Sequence, residues 1–228
     1  MTLNIKDKPK DGFERVVYAE EDKFNFYSVI AIHNTKRGPA LGGCRYFNYQ
    51  DFNKQEEDVL KLAEAMTYKN SLAELPFGGG KATIHSKINK KDAYSLFGEV
   101  LNKLNGTYIT AGDMGTVDED LRGFREYSDH VCNPIGSDSG LGTALGVYYS
   151  MLGCVEFKFG QDSLVNKNIF IKGYGKTGSR IASLCKKDGA NIEISDLEHK
   201  KDLIERDGYK FCSQLQDTSF EKIDIYSP

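Results

Sequence analysis

Apolar positions along the chain follow two different periods, and each period predicts a set of elements. Runs rich in β-branched and aromatic residues predict strands at residues 15–19, 27–32, 82–84 and 108–110. The strand at residues 27–32 is apolar enough to be buried on both faces. Apolar residues at helical spacing predict helices at residues 54–71 and 91–104, the second ended by Asn105-Gly106. Strands that alternate with helices predict an α/β fold.

A glycine-rich segment, TKRGPALGGCR at residues 35–45, interrupts this pattern. Its glycines and proline predict a loop or an interrupted strand rather than a helix. Gly42 and Gly43 form a place where the backbone could face a ligand, although a tight turn explains the pair equally well.

The pattern changes again near residue 135, where a glycine- and serine-rich segment at residues 134–142 precedes an apolar helix at residues 143–156. This change predicts a domain boundary. The glycines in and beside the helix suggest close packing or a hinge, at Gly142, Gly146 and Gly153.

A dinucleotide-binding motif follows in its expected context. A predicted strand leads into G-x-G-x-x-G and then into a helix, and the motif consists of Gly173, Tyr174, Gly175, Lys176, Thr177 and Gly178. Glycine at these three positions permits the tight turn, the approach of a pyrophosphate and close packing of helix on strand. A second predicted strand delivers Asp196, whose carboxylate would accept hydrogen bonds from ribose hydroxyls and repel a 2′-phosphate. The motif therefore predicts NAD rather than NADP.

The stretch MTYKNSLAELPFGGGK places Lys69 and Lys81 on either side of a turn and three glycines. The spacing predicts that Lys69 points inward, because it continues the apolar stripe of its helix, formed by Val59, Leu62 and Met66. A lysine beside another cation in a dry pocket has a lowered pKa, and Lys81 could then act as a general acid and base. The alternative is an exposed Lys69 in the last helical turn and a glycine run that only forms a turn.

Asp113 follows a predicted strand and has a glycine close by on each side. A carboxylate at the carboxyl end of a strand, in a loop loosened by glycine, occupies the place where open α/β sheets carry functional groups. Asp113 could instead be a turn residue or a helix cap, although the cap of a helix that begins near Val117 fits Thr116 with Glu119 better.

Composition argues against several classes of function. The 228 residues carry 30 basic and 33 acidic side chains, so the chain lacks the basic balance typical of nucleic-acid binding. Five cysteines without a CxxC pair predict reduced thiols, and four scattered histidines offer no spacing typical of a metal site. The N-terminus has no targeting segment and no apolar run is long enough to span a bilayer, which predicts a cytoplasmic protein.

Five segments together resemble one family. GPALGGCR, MTYKNSLAELPFGGGK, AGDMGT, TALGVY and the nucleotide motif occur here in the order and spacing of the amino acid dehydrogenases that act on leucine, phenylalanine, valine or glutamate. The resemblance covers nearly the whole chain. It implies a substrate-binding and catalytic α/β domain at residues 1–135, a hinge and connecting helix at 136–160, and part of a Rossmann domain that binds NAD at 161–228.

The resemblance also implies roles for single residues, in a cleft between the two domains. Lys69 would hold the substrate carboxylate, Lys81 would be the catalytic acid and base, and Asp113 would assist proton transfer at the substrate nitrogen. Further residues would bind the substrate, with the last two lining its side-chain pocket: Gly42, Gly43, Leu41 and Ala111. Thr143 would contact the cofactor.

The implied reaction is the reversible oxidative deamination of an apolar L-amino acid to the 2-oxo acid and ammonia. Hydride leaves Cα for the nicotinamide, and water activated by Lys81 adds to the resulting iminium. The amino acid stays open, because Gly112 stands where leucine dehydrogenases carry Glu, while PFGGGK and GDMGT look closer to phenylalanine dehydrogenases. The physiological direction, degradation or biosynthetic amination, also stays open. The family further implies a homo-oligomer.

Such enzymes continue beyond the fourth strand of the nucleotide fold, which here is predicted at residues 224–228. A half-built sheet would leave an unpaired edge and an uncovered apolar face. The chain is then either a fragment of an active enzyme or a shortened relative. The alternative function is a non-catalytic nucleotide-binding or interaction protein on the same scaffold.

Overall fold

A computed structural model describes residues 3–132, 139–213 and 222–228 of the chain. The chain divides into two compact units, at residues 1–135 and 136–228. Among the described residues, none of the helices combines the length and the apolar character needed to cross a membrane.

The first unit is built on a six-stranded mixed sheet. Its strands, in chain order, are β1 (Asn4–Lys8), β2 (Arg15–Glu21), β3 (Phe26–Asn34), β4 (Ala40–Phe47), β5 (Gly78–His85) and β6 (Tyr108–Gly112). Their order across the sheet is β1-β2-β3-β5-β4-β6. β1, β2, β3 and β5 pair antiparallel, whereas β5, β4 and β6 pair parallel, so the carboxyl ends of the last three lie at one edge.

Helices cover both faces of this sheet. α1 (Phe52–Leu72) packs on one face, in a core formed by Val16, Tyr18, Val29, Ala31, Val59 and Ala63. α2 (Lys90–Leu104) and α3 (Asp118–Arg125) pack on the other face, in a larger core that includes Ile30, Ile32, Phe97, Leu101 and Phe124. The predicted strand at residues 27–32 is buried on both faces for this reason.

The ends of α1 and α2 agree with the prediction to within two residues, because local capping determines them, whereas the helix predicted at residues 143–156 extends beyond both of those ends, over Ser139–Phe159. The Asp51 carboxylate accepts a hydrogen bond from the Lys54 amide at 2.8 Å and begins α1. Asn105 adopts a left-handed conformation, with φ of 47°, and ends α2.

The predicted loop or interrupted strand at residues 35–45 is a loop at residues 35–39 followed by β4 from Ala40. The alternative in which the triple glycine only forms a turn was wrong. Gly42 and Gly43 lie inside β4, and the triple glycine begins β5. A Cβ on Gly79 would lie 2.1 Å from the Thr67 amide nitrogen of α1, and a Cβ on Gly42 would lie 1.7 Å from the Gly80 carbonyl oxygen. Glycine is therefore required for close packing inside the unit.

The second unit contains a four-stranded parallel sheet. Its elements are α4 (Ser139–Phe159), β7 (Asn168–Lys172), α5 (Gly178–Lys187), β8 (Asn191–Ser195), α6 (Lys201–Arg206), β9 (Lys210–Cys212) and β10 (Ile225–Ser227). The order β10-β7-β8-β9 is that of the first four strands of a Rossmann sheet. The chain is thus an α/β protein with a mixed-sheet unit followed by part of a doubly wound parallel one.

The glycines of α4 do not support close packing. A Cβ at Gly142, Gly146 or Gly153 would have no atom within 4 Å in the described part of the chain, so the expectation of close packing was wrong, and a hinge stays a prediction. The predicted flexible boundary falls in part on residues 133–138, which lie outside the described ranges.

We predict that Gly79→Ala lowers the free energy of unfolding by more than about 2 kcal/mol, because the new methyl group would overlap the backbone of α1. Urea unfolding followed by circular dichroism measures this loss. Gly112→Ala in β6 is the matched control, since its Cβ would meet Leu121 at an ordinary 3.5 Å, and it should change stability by less than about 0.5 kcal/mol. Equal losses in the two variants would contradict the packing explanation.

Candidate active site

Strand register gathers most of the predicted residues of the first unit on one face of the sheet. Leu41 of β4 lies opposite Gly79 of β5 and Ile109 of β6. Because side chains alternate along a strand, the residues an even number of positions away share this face: Gly43, Arg45, Lys81 and Ala111. α1 packs on the same face. Leu41 and Ala111 are half-buried there.

A buried ion pair forms the centre of this face. Lys81 Nζ lies 3.1 Å from Asp113 Oδ1, and the Lys81 side chain is 6% exposed. Burial lowers the pKa of Lys81 below its ordinary value, although the Asp113 carboxylate opposes this shift. Burial alone would raise the pKa of Asp113, but the charges of Lys81 and Arg45 outweigh it and hold this pKa below its ordinary value. The pair therefore joins a lysine with weakened affinity for its proton to a carboxylate that stays ionised.

Arg45 is a member of this cluster that the sequence reasoning missed. Its Nε donates to Asp113 Oδ2 at 2.8 Å, and its Nη1 donates to Asp58 Oδ2 at 2.9 Å. The Tyr49 hydroxyl donates to the same Asp58 oxygen at 2.7 Å. Arg45 ends the GPALGGCR motif, so its position was visible, but its partners come from distant parts of the chain.

The loop that carries Asp113 is held from both ends. Thr116 Oγ1 accepts from the Asp113 amide and donates to the Cys44 carbonyl, both at 2.8 Å. The predicted cap of Thr116 with Glu119 was wrong, because α3 begins after Val117 and Asp120 closes the turn by accepting from the Val117 amide. Thr116 braces the loop instead of capping the helix.

Asp120 anchors the other end of that loop from inside the unit. Its side chain is 4% exposed, and it accepts from Lys90 Nζ, the Tyr94 hydroxyl and the Val117 amide, each at 2.8 Å. Burial would raise the pKa of Asp120, but Lys90 and the hydrogen bonds lower it below its ordinary value. The ionised carboxylate therefore stabilises the turn before α3.

Lys69 does not point inward. It is exposed in the last turn of α1, and the buried positions of that helix are Gln55, Val59, Ala63 and Asn70. The predicted stripe was rotated on the helix, since Asn70 takes the inward position and donates to the Gly78 carbonyl at 2.6 Å. The cation that shares Asp113 with Lys81 is Arg45, not Lys69.

Packing accounts for the glycine pair of β4 without any ligand. A Cβ on Gly43 would lie 2.5 Å from the Gly112 carbonyl oxygen. Gly42 occupies the opposite face, and its carbonyl accepts the Tyr108 hydroxyl at 2.7 Å. A substrate contact by either glycine stays a prediction.

In the second unit, each of the three motif glycines is explained by a different local feature. Gly173 has a φ of +104°, which a side chain would make costly. A Cβ on Gly175 would have no atom within 4 Å, so the backbone there is open to a ligand, whereas a Cβ on Gly178 would lie 1.9 Å from the Gly173 carbonyl oxygen. These features match the tight turn, the phosphate approach and the helix packing that the motif predicts.

The remaining motif residues differ in what they present. The Tyr174 side chain is buried against Tyr209, with its hydroxyl donating to Asp207 at 2.7 Å. Lys176 is exposed, and Thr177 stands at the N-terminus of α5 without a capping side-chain bond. Tyr174 therefore offers the turn its backbone rather than its ring.

Asp196 lies directly after β8, as predicted. Its carboxylate accepts from the amides of Tyr174 and Leu197, which ties the end of β8 to the glycine turn. Thr143 lies on α4 in a groove of about 430 Å³ that residues 225–228 complete, beside the carboxyl end of β10. The strand order reverses between β7 and β10, so this is the switch point where open α/β sheets bind ligands.

Comparison with known proteins agrees with both units. A model of the "Glu/Leu/Phe/Val dehydrogenase, dimerisation domain" matches residues 14–129, slightly more than half of the chain. The chain belongs to the Glu/Leu/Phe/Val dehydrogenase family. The resemblance noted in its motifs is thereby confirmed.

Individual relatives extend this similarity beyond the matched domain. Phenylalanine dehydrogenase of Thermoactinomyces intermedius is 36% identical over 95% of this chain, and leucine dehydrogenase of Bacillus subtilis is 35% identical over 98%. The crystal structure of L-tryptophan dehydrogenase from Nostoc punctiforme superimposes with a TM-score of 0.69 at 26% identity, over 95% of this chain. The chain spans 62% to 64% of the length of these three proteins.

We predict that Asp120→Asn destabilises this family member by about 2 kcal/mol at pH 7, because hydrogen bonds to an ionised group are lost. The folded-state pKa of Asp120 is lowered, so its contribution is present above the ordinary value of 3.8 and disappears as the pH falls through the folded-state pKa. Urea unfolding at pH 7 and pH 3 measures the difference. Glu119→Gln, an exposed neighbour in α3, is the control. A cost for Asp120→Asn that does not shrink at pH 3 would contradict the ionised anchor.

Proposed function

We propose that the protein catalyses the reversible, NAD-dependent oxidative deamination of an apolar L-amino acid to its 2-oxo acid and ammonia. The observation that carries this proposal is the buried pair of Lys81 and Asp113, 3.1 Å apart on a sheet face that also holds Leu41 and Ala111. A lysine whose pKa is lowered by burial releases its proton more readily than a free lysine, which favours a role in acid-base chemistry. Membership in the family and the likeness to phenylalanine and leucine dehydrogenases support the same chemistry.

Each residue of the site then has a role that its surroundings permit. Lys81 takes a proton from the water that attacks the substrate carbon and returns it later. Asp113 exchanges a proton with the substrate nitrogen while its charge orients the Lys81 ammonium group. Lys69, exposed at the end of α1, binds the substrate carboxylate as a mobile cation. Gly42 and Gly43 contribute backbone contacts.

The residues of the second unit fit a dinucleotide. The turn leaves open space at Gly175, and α5 begins shortly after it, so a pyrophosphate can approach the helix N-terminus there. Lys176, Thr177 and Thr143 are polar residues at this edge of the unit. Asp196 has oxygen lone pairs left for ribose hydroxyls and a charge that repels a 2′-phosphate. When bound, NAD supplies the hydride acceptor.

An apolar side chain on the substrate is the choice that the site residues favour. Leu41 and Ala111 are half-buried apolar residues on the face of Lys81, and they would contact that side chain. A homo-oligomer is part of the proposal, since the matching family model is described as a dimerisation domain.

We predict that the purified protein, mixed with NAD and leucine, valine, phenylalanine, tryptophan or glutamate at alkaline pH, produces reduced nicotinamide with at least one apolar amino acid. Absorbance at the reduced-nicotinamide band measures it. Lys81→Ala should lower turnover by at least about 100-fold, since a positioned acid-base group contributes that much or more. NAD affinity should stay unchanged in this variant.

Lys103→Ala, an exposed lysine near the end of α2, is the matched control and should keep full turnover. Survival of activity in Lys81→Ala would refute the role of Lys81. NAD binding without turnover by the unaltered protein would instead favour a non-catalytic nucleotide-binding relative.

We also predict that Asp196→Ser weakens NAD binding about tenfold or more, because hydrogen bonds to an ionised group contribute about 1.5–3 kcal/mol. The same change should narrow the preference for NAD over NADP, since the repelling charge is gone. Calorimetric titration with both nucleotides measures this, with Glu198→Gln as the control for an exposed neighbouring charge. Unchanged affinity for both nucleotides would remove Asp196 from the cofactor site.

A further inference from the structure

Arg45 joins two carboxylates that belong to different elements. Nε contacts Asp113, which follows β6, and Nη1 contacts both oxygens of Asp58 on α1, at 2.9 and 3.2 Å. The Arg45 side chain is 18% exposed and that of Asp113 is 23% exposed, so the bridge is largely shielded from water. A guanidinium group holds such a geometry rigidly because its donors are fixed in one plane.

The bridge divides the two oxygens of Asp113 between two cations. Oδ2 is occupied by Arg45, and Oδ1 is left facing Lys81 Nζ. A partial rotation of the carboxylate would break both contacts, so Arg45 fixes the orientation in which the carboxylate meets the lysine. Asp58 in turn is held by the Tyr49 hydroxyl, which anchors the far end of the bridge.

The charge of Arg45 acts on the pair as well. A lone carboxylate beside Lys81 would strengthen its hold on its proton, and Arg45 offsets part of that attraction. The other titratable groups that interact with the pair are Tyr49 and, from the opposite face of the sheet, Cys44 and Tyr108, and burial raises the pKa of each. These three stay neutral near pH 7, so Arg45 and Asp58 are the charges that set the balance around the pair.

We propose that Arg45 is the positioning residue of this site: by bridging Asp58 and Asp113 it holds one Asp113 oxygen on Lys81 and keeps the lysine ready to release its proton. The inference rests on the proposed function for the roles of Lys81 and Asp113. Its test requires no turnover.

The test is an NMR titration of protein labelled with ¹³C-lysine, in which the Cε resonance of Lys81 is identified by its loss in Lys81→Met. The exposed Lys61 is the reference in the same spectra. Arg45→Gln should raise the titration midpoint of Lys81 by about one pH unit or more, because removal of a nearby like charge favours the protonated lysine. Arg45→Lys keeps the charge, so the Lys81 midpoint should stay close to that of the unaltered protein.

Asp58→Asn separates this mechanism from general damage. Loosened packing would admit water and raise the Lys81 midpoint in any variant. Loss of the Asp58 charge instead leaves the Arg45 charge less neutralised and should lower the midpoint. Arg15→Gln is the matched control, since Arg15 binds Asp7 through two hydrogen bonds of 2.9 and 2.8 Å at the far side of the sheet and should leave Lys81 unchanged.

An unchanged midpoint in Arg45→Gln, or an upward shift in Asp58→Asn, overturns the proposal. Where Arg45→Gln fails to fold, Asp58→Asn decides by the sign of its shift, and Arg45→Lys decides by whether it keeps the midpoint of the unaltered protein. Midpoints that move as expected in a protein without turnover would support the bridge and remove the proposed function. Unmoved midpoints in a protein that turns over an amino acid would overturn the bridge and leave the proposed function standing.

Discussion

The candidate active site depends on keeping an ammonium group inside a protein sheet. A buried cation is costly unless it is paired, and Lys81 is paired with a carboxylate that carries a second cation of its own. The burial that makes this arrangement costly also lowers the pKa of Lys81, which is the property that acid-base chemistry needs. The bracing of Asp113 by Thr116, Asp120 and Arg45 follows from the same constraint, because a misplaced carboxylate would leave the charge uncompensated.

The glycines of the first unit help to bury Lys81, because they allow close packing around it. Gly79 lets α1 approach β5 closely, and Gly43 lets β4 approach the loop that begins at Gly112. Close approach excludes water from this face of the sheet. Lys81, two residues further along β5, is desolvated as a result. The second unit uses glycine for separate purposes within one turn, where one position needs a positive φ, one leaves space and one permits contact between helix and strand.

Local signals in the sequence predicted most elements correctly. The helical spacing of α1 and α2, the end of α2 at Asn105 and the strand-turn-helix context of Gly173 all act over a few residues, so they can be seen without the fold. The predictions failed where a distant neighbour decides the outcome. Gly42, Gly79 and Gly80 have low intrinsic preference for strands, yet they lie in β4 and β5, where neighbouring atoms leave no room for a larger residue. The prediction for Lys69 failed because the apolar residues of α1 are compatible with two different inward faces of the helix, and only packing on the sheet selects the one that contains Asn70.

The sequence by itself determined the fold class, the family motifs and the glycine turn followed by Asp196, and it singled out Lys81 and Asp113 as candidates, since periodicity and short motifs carry that information. Tertiary structure alone decided that these two side chains lie 3.1 Å apart and that Arg45 and Asp58 complete the cluster. Their partners are separated by up to 68 residues along the chain. Electrostatic contacts act through space, and only the register of β4, β5 and β6 brings those charges together.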